Sequence, residues 1–125
     1  MDLATFIVQE RDRKGISFRG LEKRADDLNH AYIWRLAKGD QVAPSLETVK
    51  KLGVALGLTE RKQQIFELLV KTPIDDALYR VMESRVDLPW EAMEPLPTAS
   101  FRGARPETED DWIRRIELTQ ELLGF

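Results

Sequence analysis

Apolar residues recur along this chain at three- and four-residue steps, punctuated by polar pairs, glycines and prolines, and that rhythm predicts helices. Leu3, Phe6 and Ile7 begin a first helix over residues 3–14, whose basic end at Arg11, Arg13 and Lys14 favours the C-terminal dipole. Ser17 is placed to cap a second, short helix on which Leu21 and Ala25 share a face, and the polar pair Asp26-Asp27 breaks the periodicity before Leu28. Asn29 then caps a third helix over residues 30–38, with Ile33 and Leu36 pointing inward and Gly39 closing it. After the Pro44 turn, Ser45 caps a fourth helix whose core face is Leu46, Val49, Leu52 and Leu56, ending at Gly57. Thr59 opens a fifth, on which Ile65, Phe66, Leu68, Leu69 and Val70 make a face too apolar for a lone surface helix, and Pro73 stops it.

Beyond Pro73 the pattern changes. An amphipathic helix over residues 74–83 carries Leu78, Val81 and Met82 on its apolar face, with Asp75 and Asp76 favouring its N-terminal dipole. From 84 to 106, Pro89, Pro95, Pro97, Pro106 and Gly103 leave room for at most one helical turn, around Trp90 to Met93. So long an irregular stretch in a small protein is expected to be functional or disordered. A last helix follows over residues 107–123, starting near Glu107 or Thr108, with Trp112, Ile116, Thr119 and Leu123 on one stripe and Gly124 at its end.

The outer face of the third helix is unusual. His30, Ala31, Trp34, Arg35 and Lys38 are large or basic side chains left toward solvent, and such a face suits a DNA major groove. With the segments Gly15-Ile16-Ser17, Tyr32-Ile33-Trp34-Arg35-Leu36 and Pro44-Ser45-Leu46-Glu47-Thr48, residues 3–70 resemble the helix-turn-helix of the Cro/phage-repressor (XRE) family. The resemblance implies an all-α, lambda-repressor-like domain of five helices over residues 1–72 that binds double-stranded operator DNA. The DNA-contacting residues expected are Ser17, Arg19, Asn29, His30, Ala31, Tyr32, Trp34, Arg35 and Lys38. The chain departs from the family pattern at Phe18, where a phosphate-binding Gln is usual, and at Ala37, where an acidic residue is common. It also carries one residue more between Ala25 and Leu28 and between Gly39 and Pro44, which bears on the register of the reading helix. An αα-hairpin with no role on DNA is the alternative reading of the same residues.

Composition narrows the field. A chain of 125 residues, 42% hydrophobic and 33% charged, suffices for one small core or two subdomains sharing one. It has no cysteine and one His, so neither a disulfide framework, a thiolate zinc site nor a Ser-His-Asp arrangement is available, and no enzyme, metal or cofactor is expected. No apolar run approaches the ~20 residues that span a bilayer, so no membrane partner and a soluble, cytoplasmic protein are expected. The net charge of −3 conceals an asymmetry: residues 1–72 carry 13 basic against 10 acidic side chains, whereas residues 73–125 carry 6 against 12. The basic part suits phosphate contacts, and the acidic part would be repelled by DNA.

The segment from Ser100 to Trp112, SFRGARPETEDDW, carries Arg102-Gly103, Arg105-Pro106 and Trp112. It resembles the XRE repressors paired with an ImmA/IrrE-type zinc metallopeptidase, among them DdrO-, ImmR- and CapH-type repressors. That resemblance implies a C-terminal domain, residues 73–125, that forms a homodimer, and a peptidase that cuts before the Arg-Gly pair, here between Phe101 and Arg102. The dimer contacts expected are Leu78, Met82, Trp112, Ile116 and Leu123. A plain turn before the last helix accounts for RGARP equally well. An antitoxin, whose C-terminal segment masks a toxin while its helix-turn-helix autoregulates an operon, is the competing function.

Overall fold

Residues 1–26, 28–40 and 43–124 are described by the structure, a computed structural model. Among them every regular element is helical. Contacts divide the chain into two units, Met1–Pro73 and Ile74–Phe125. The first contains α1 (Leu3–Lys14), α2 (Phe18–Arg24), α3 (His30–Lys38), α4 (Leu46–Ala55) and α5 (Glu60–Lys71). The second contains α6 (Asp76–Ser84), α7 (Trp90–Met93), a 3₁₀ turn at Leu96–Thr98, and α8 (Glu109–Leu123). The break expected at Asp26-Asp27 falls partly on Asp27, and the extra residue after Gly39 falls among positions 41–42; both lie outside the described residues.

Short polar side chains start the helices of the first unit. Ser17 Oγ accepts from the Gly20 amide at 3.0 Å, Asn29 Oδ1 from Ala31 at 2.7 Å and Ser45 Oγ from Thr48 at 3.2 Å. Thr59 does the same for Lys62 at 3.3 Å, and Asp2, which the pattern did not single out, for Thr5 at 2.8 Å. α3 packs on α1 and α2, α4 on α2 and α5, and α5 closes back on α1. Phe6 and Phe66 stack with centroids 5.2 Å apart across α1 and α5, and Ile7, Leu21, Ile33, Leu52, Leu56 and Ile65 are wholly buried around them. Leu46, expected in this core, is instead 56% exposed. It is the first residue of α4, and side chains lean toward a helix's N-terminus, so Leu46 overhangs the end of its own helix.

One carboxylate goes in with the apolar side chains. Glu10 on α1 is 1% exposed; its Oε1 accepts from Lys62 Nζ of α5 at 2.6 Å and from Arg13 at 3.4 Å. Its Oε2 has no hydrogen-bond partner among the described residues.

In the second unit α6 packs on α8, and α7 on α8. Leu78, Val81, Met82, Trp112 and Ile116 fill the space between, joined by Leu88, Ala92, Met93 and Leu96. Segment 84–106 holds the single helical turn expected at Trp90–Met93, but it also forms a 3₁₀ turn and contributes buried side chains, so it is more ordered than expected. Pro89 precedes α7 and Pro95 precedes the 3₁₀ turn, positions where a missing amide costs nothing. α6 starts at Asp76, later than expected, and Asp75 makes no side-chain cap. Its carboxylate is held in a two-pronged pair by Arg105, whose Nε and Nη2 donate at 2.8 and 2.7 Å. Arg105 also donates to the carbonyls of Leu96, Pro97 and Ala99 at 3.3, 3.0 and 3.2 Å, tying the turn region to the start of α6. α8 begins at Glu109 with Thr108 as its cap, and Glu109, Asp110 and Asp111 sit favourably in its first turn.

Two outcomes follow from these pairs. Lys62→Met leaves the buried Glu10 carboxylate with its longer contact to Arg13 and is expected to cost about 3 kcal/mol in urea unfolding, whereas the double variant Glu10→Leu/Lys62→Met recovers most of that loss. Hydrogen bonds from Arg105 hold the Asp75 carboxyl below the usual carboxylate range. A depressed folded value means that the pair contributes fully above the ordinary carboxylate value, near roughly pH 4, and that this contribution is lost as pH falls through the lower folded value. Thermal unfolding of Asp75→Asn between roughly pH 5 and 2 should show a flatter acid limb than the unaltered chain.

Candidate nucleic-acid interface

Successive residues of a helix turn by about 100°, so three buried positions are enough to orient α3. Ile33, Leu36 and Ala37 are 0, 3 and 9% exposed and define its inner side. Ala37, where the family favours an acidic residue, is thus a packing position. Trp34, Arg35 and Lys38 face outward, and Ala31 lies among them, half-buried. Trp34 is 44% exposed, and the Lys38 ammonium sits 4.0 Å above its ring, a cation–π contact that fixes the indole. Tyr32 lies on the flank of the helix, half-buried, instead of on the outward face. Gly39 ends α3 in the left-handed region at φ 77°, donating its amide back to Arg35 and Leu36, which a residue with a Cβ would do only under strain.

The start of α2 completes the surface. Ser17, Phe18, Arg19, His30, Ala31 and Trp34 line one open cleft between the beginning of α2 and the outer side of α3. Five of the nine expected DNA-contacting residues therefore border a single concavity, and Arg35 and Lys38 stand further along the same helix. Phe18 forms an apolar wall, with the Arg11 guanidinium 4.4 Å above its ring. Asn29 is committed through its side-chain oxygen to capping α3.

Glu22 is the functional neighbour that sequence reasoning missed. Its Oε2 accepts from the His30 backbone amide and meets His30 Nδ1 at 2.8 Å. The amide hydrogen bond, first, and the imidazole hydrogen bond, second, hold this carboxyl below its usual value. Glu22 thereby satisfies one of the free amides of α3 and places a negative charge on its positive end. His30 was expected as a base or phosphate contact. An anion at the start of α3 would meet the Glu22 carboxylate, which already occupies the His30 amide and Nδ1, so phosphate contact there is unfavourable. No local pattern announced this, because the two residues lie eight apart on different helices.

The expected cleavage segment is partly locked. The Phe101 ring meets Trp112 edge-on with centroids 5.7 Å apart, and the guanidinium groups of Arg105 and Arg115 lie 5.1 and 4.8 Å from its centre. It is half-buried and not freely offered to a pocket. Arg105, expected to meet a peptidase's carboxylates, is engaged by Asp75 within the chain. Arg102, Gly103 and Ala104 are exposed, with Gly103 in the left-handed region at φ 80°.

The expected dimer residues are redistributed as well. Leu78, Met82, Trp112 and Ile116 are each 0% exposed within one chain, so they are core and have no surface to share. The face of α5 is likewise buried, apart from Val70, which is half-buried, and so supplies no apolar excess. Leu123 is 62% exposed, overhanging the buried stripe of α8, and Leu118 and Leu122, four apart on another side of that helix, are 45 and 76% exposed. Among the described residues no helix is long and apolar enough to cross a membrane. Neither models of known protein families nor curated proteins match the sequence.

Proposed function

We propose that this chain is a sequence-specific DNA-binding transcriptional repressor of the XRE type, with α2 and α3 as its helix-turn-helix and α3 as the helix laid in the major groove. The observation that carries this reading is the outer side of α3, where Trp34, Arg35 and Lys38 are exposed while Ile33, Leu36 and Ala37 anchor the helix. Arg35 is suited to a guanine edge or a phosphate, Lys38 and Arg19 to phosphates, and Trp34 and Ala31 to apolar base edges. The resemblance to Cro-type repressors over residues 3–70 supports the same assignment. The protein acts in the cytoplasm, where its DNA lies.

One reading helix touches too few base pairs for useful discrimination, and a two-fold dimer reads two half-sites roughly 34 Å apart. The dimer is formed by the second unit. Since Trp112 and its neighbours are core, the contact falls to the exposed leucines of α8, Leu118, Leu122 and Leu123, of which Leu123 belonged to the sequence-based set. Inactivation proceeds by cleavage between Phe101 and Arg102 by a zinc peptidase, as the resemblance of the RGARP segment implies. The antitoxin alternative gains nothing from the structure, because it leans on a C-terminal segment without a core of its own, and Trp112 and Ile116 are wholly buried.

Arg35→Ala and Trp34→Ala should each weaken binding to a selected duplex by about 1 to 3 kcal/mol. Gel-shift affinity unchanged in both, with helical content intact by circular dichroism, would remove α3 as the reading helix. Residues 1–101 lack α8, and are expected to sediment as a monomer and to bind the same duplex near the nonspecific level. A truncated chain that still dimerises and still shifts its operator ends the cleavage mechanism, and mass spectrometry after exposure to the peptidase locates the bond.

A further inference from the structure

The cleft between the start of α2 and the outer side of α3 has a composition that phosphate contact does not explain. It is lined by Phe18, Ala31 and Trp34 together with Ser17, Arg19 and His30, and the surface it offers is mostly apolar. The polar groups nearby are largely committed. Ser17 Oγ accepts from the Gly20 amide, and both His30 Nδ1 and the His30 amide are engaged by Glu22. Each ring carries a cation, Arg11 4.4 Å over Phe18 and Lys38 4.0 Å over Trp34, contacts that restrain both rings before anything binds. The result is an apolar notch with Arg19 in its lining, Arg35 and Lys38 further along α3, and the Glu22 carboxylate paired to His30 beside it.

In the major groove a single group is both apolar and protruding, the C5-methyl of thymine; guanine, adenine and cytosine present polar edges there. A notch walled by Phe, Ala and Trp gains from that methyl and leaves a polar edge without partners. The surrounding cations match the phosphates that flank any such base.

We infer that this cleft is a thymine-reading subsite, which seats the 5-methyl group of one thymine in each half-site between Phe18, Ala31 and Trp34. The inference rests on the DNA-binding reading above and specifies what the duplex must contain.

The test begins by selecting duplexes from a random pool with the full-length chain. Each thymine of the selected site is then replaced in turn by deoxyuridine, which removes the methyl and leaves base pairing unchanged. One position per half-site is expected to lose about fourfold in affinity, the effect of one buried methyl. Cytosine at that position should bind more weakly, with 5-methylcytosine recovering part of the loss. In Phe18→Ala and Trp34→Ala, checked for folding by circular dichroism, the thymine-to-deoxyuridine ratio should fall to about one. If deoxyuridine replaces every thymine of the selected site without loss, the subsite is overturned while DNA binding stands. If no duplex is retained, or a single strand binds more tightly than any duplex, the DNA-binding reading itself fails and the subsite with it.

Discussion

Burial of Ile33, Leu36 and Ala37 against α1 and α2 is the constraint from which the candidate interface follows. A helix of nine residues is too short to persist alone in water, so α3 exists because its inner side is packed and its ends are closed. Burying an Ile or Leu side chain contributes roughly 1.5 to 3 kcal/mol, several times what propensity supplies over so few residues. With those positions inward, Trp34, Arg35 and Lys38 have nowhere to go but outward. Their exposure is thus the geometric remainder of the packing, which is why a face of this composition asks for a partner.

Much of this could be read along the chain because its determinants are local. Ser17, Asn29, Ser45 and Thr59 cap within three residues, and Gly39 and Gly124 close their helices one residue past the end, so those boundaries were visible. What stayed hidden was set by partners distant in sequence. Glu10 and Lys62 are 52 positions apart, Asp75 and Arg105 are 30, and Glu22 meets His30 across two helices. Prolines misled in part: they were read as leaving one helical turn, at Trp90 to Met93, in an otherwise irregular stretch, yet a proline forbids only helix continuation and is at home where a turn begins, as at the 3₁₀ turn after Pro95. Leu46 misled because periodicity assumes a neighbour alongside, and a helix's first residue often has none.

Charge separates the two units as clearly as contacts do. The basic excess of three in residues 1–72 includes Arg19, Arg35 and Lys38 around the cleft, whereas residues 73–125 carry twice as many acidic as basic side chains. If the chain binds DNA as proposed, a duplex attracts the first and repels the second, which biases the approach before any base edge is touched. Glu22 is the local exception. Its carboxylate stabilises the start of α3 and at the same time deters an anion from settling there, so on the proposed reading phosphate contacts fall to Arg19 at one side and to Arg35 and Lys38 further along the helix.

The second unit shows how one covalent bond can matter out of proportion to its own strength. Arg105, Trp112 and Ile116 follow the bond between Phe101 and Arg102, whereas Asp75, Leu78 and Met82 precede it. In the intact chain these groups meet as parts of one molecule, at an effective concentration in the millimolar range or above. Once that bond is cut, the pair between Asp75 and Arg105 and the packing of Trp112 become contacts between two separate peptides at whatever concentration the protein has. None of the individual interactions is altered, yet each must now also offset the lost freedom of association, several kcal/mol that the intact chain never faced. A unit of this size has little stability in reserve against such a term. The same Arg105 that ties the turn region together is therefore what makes that region sensitive to being opened beside it.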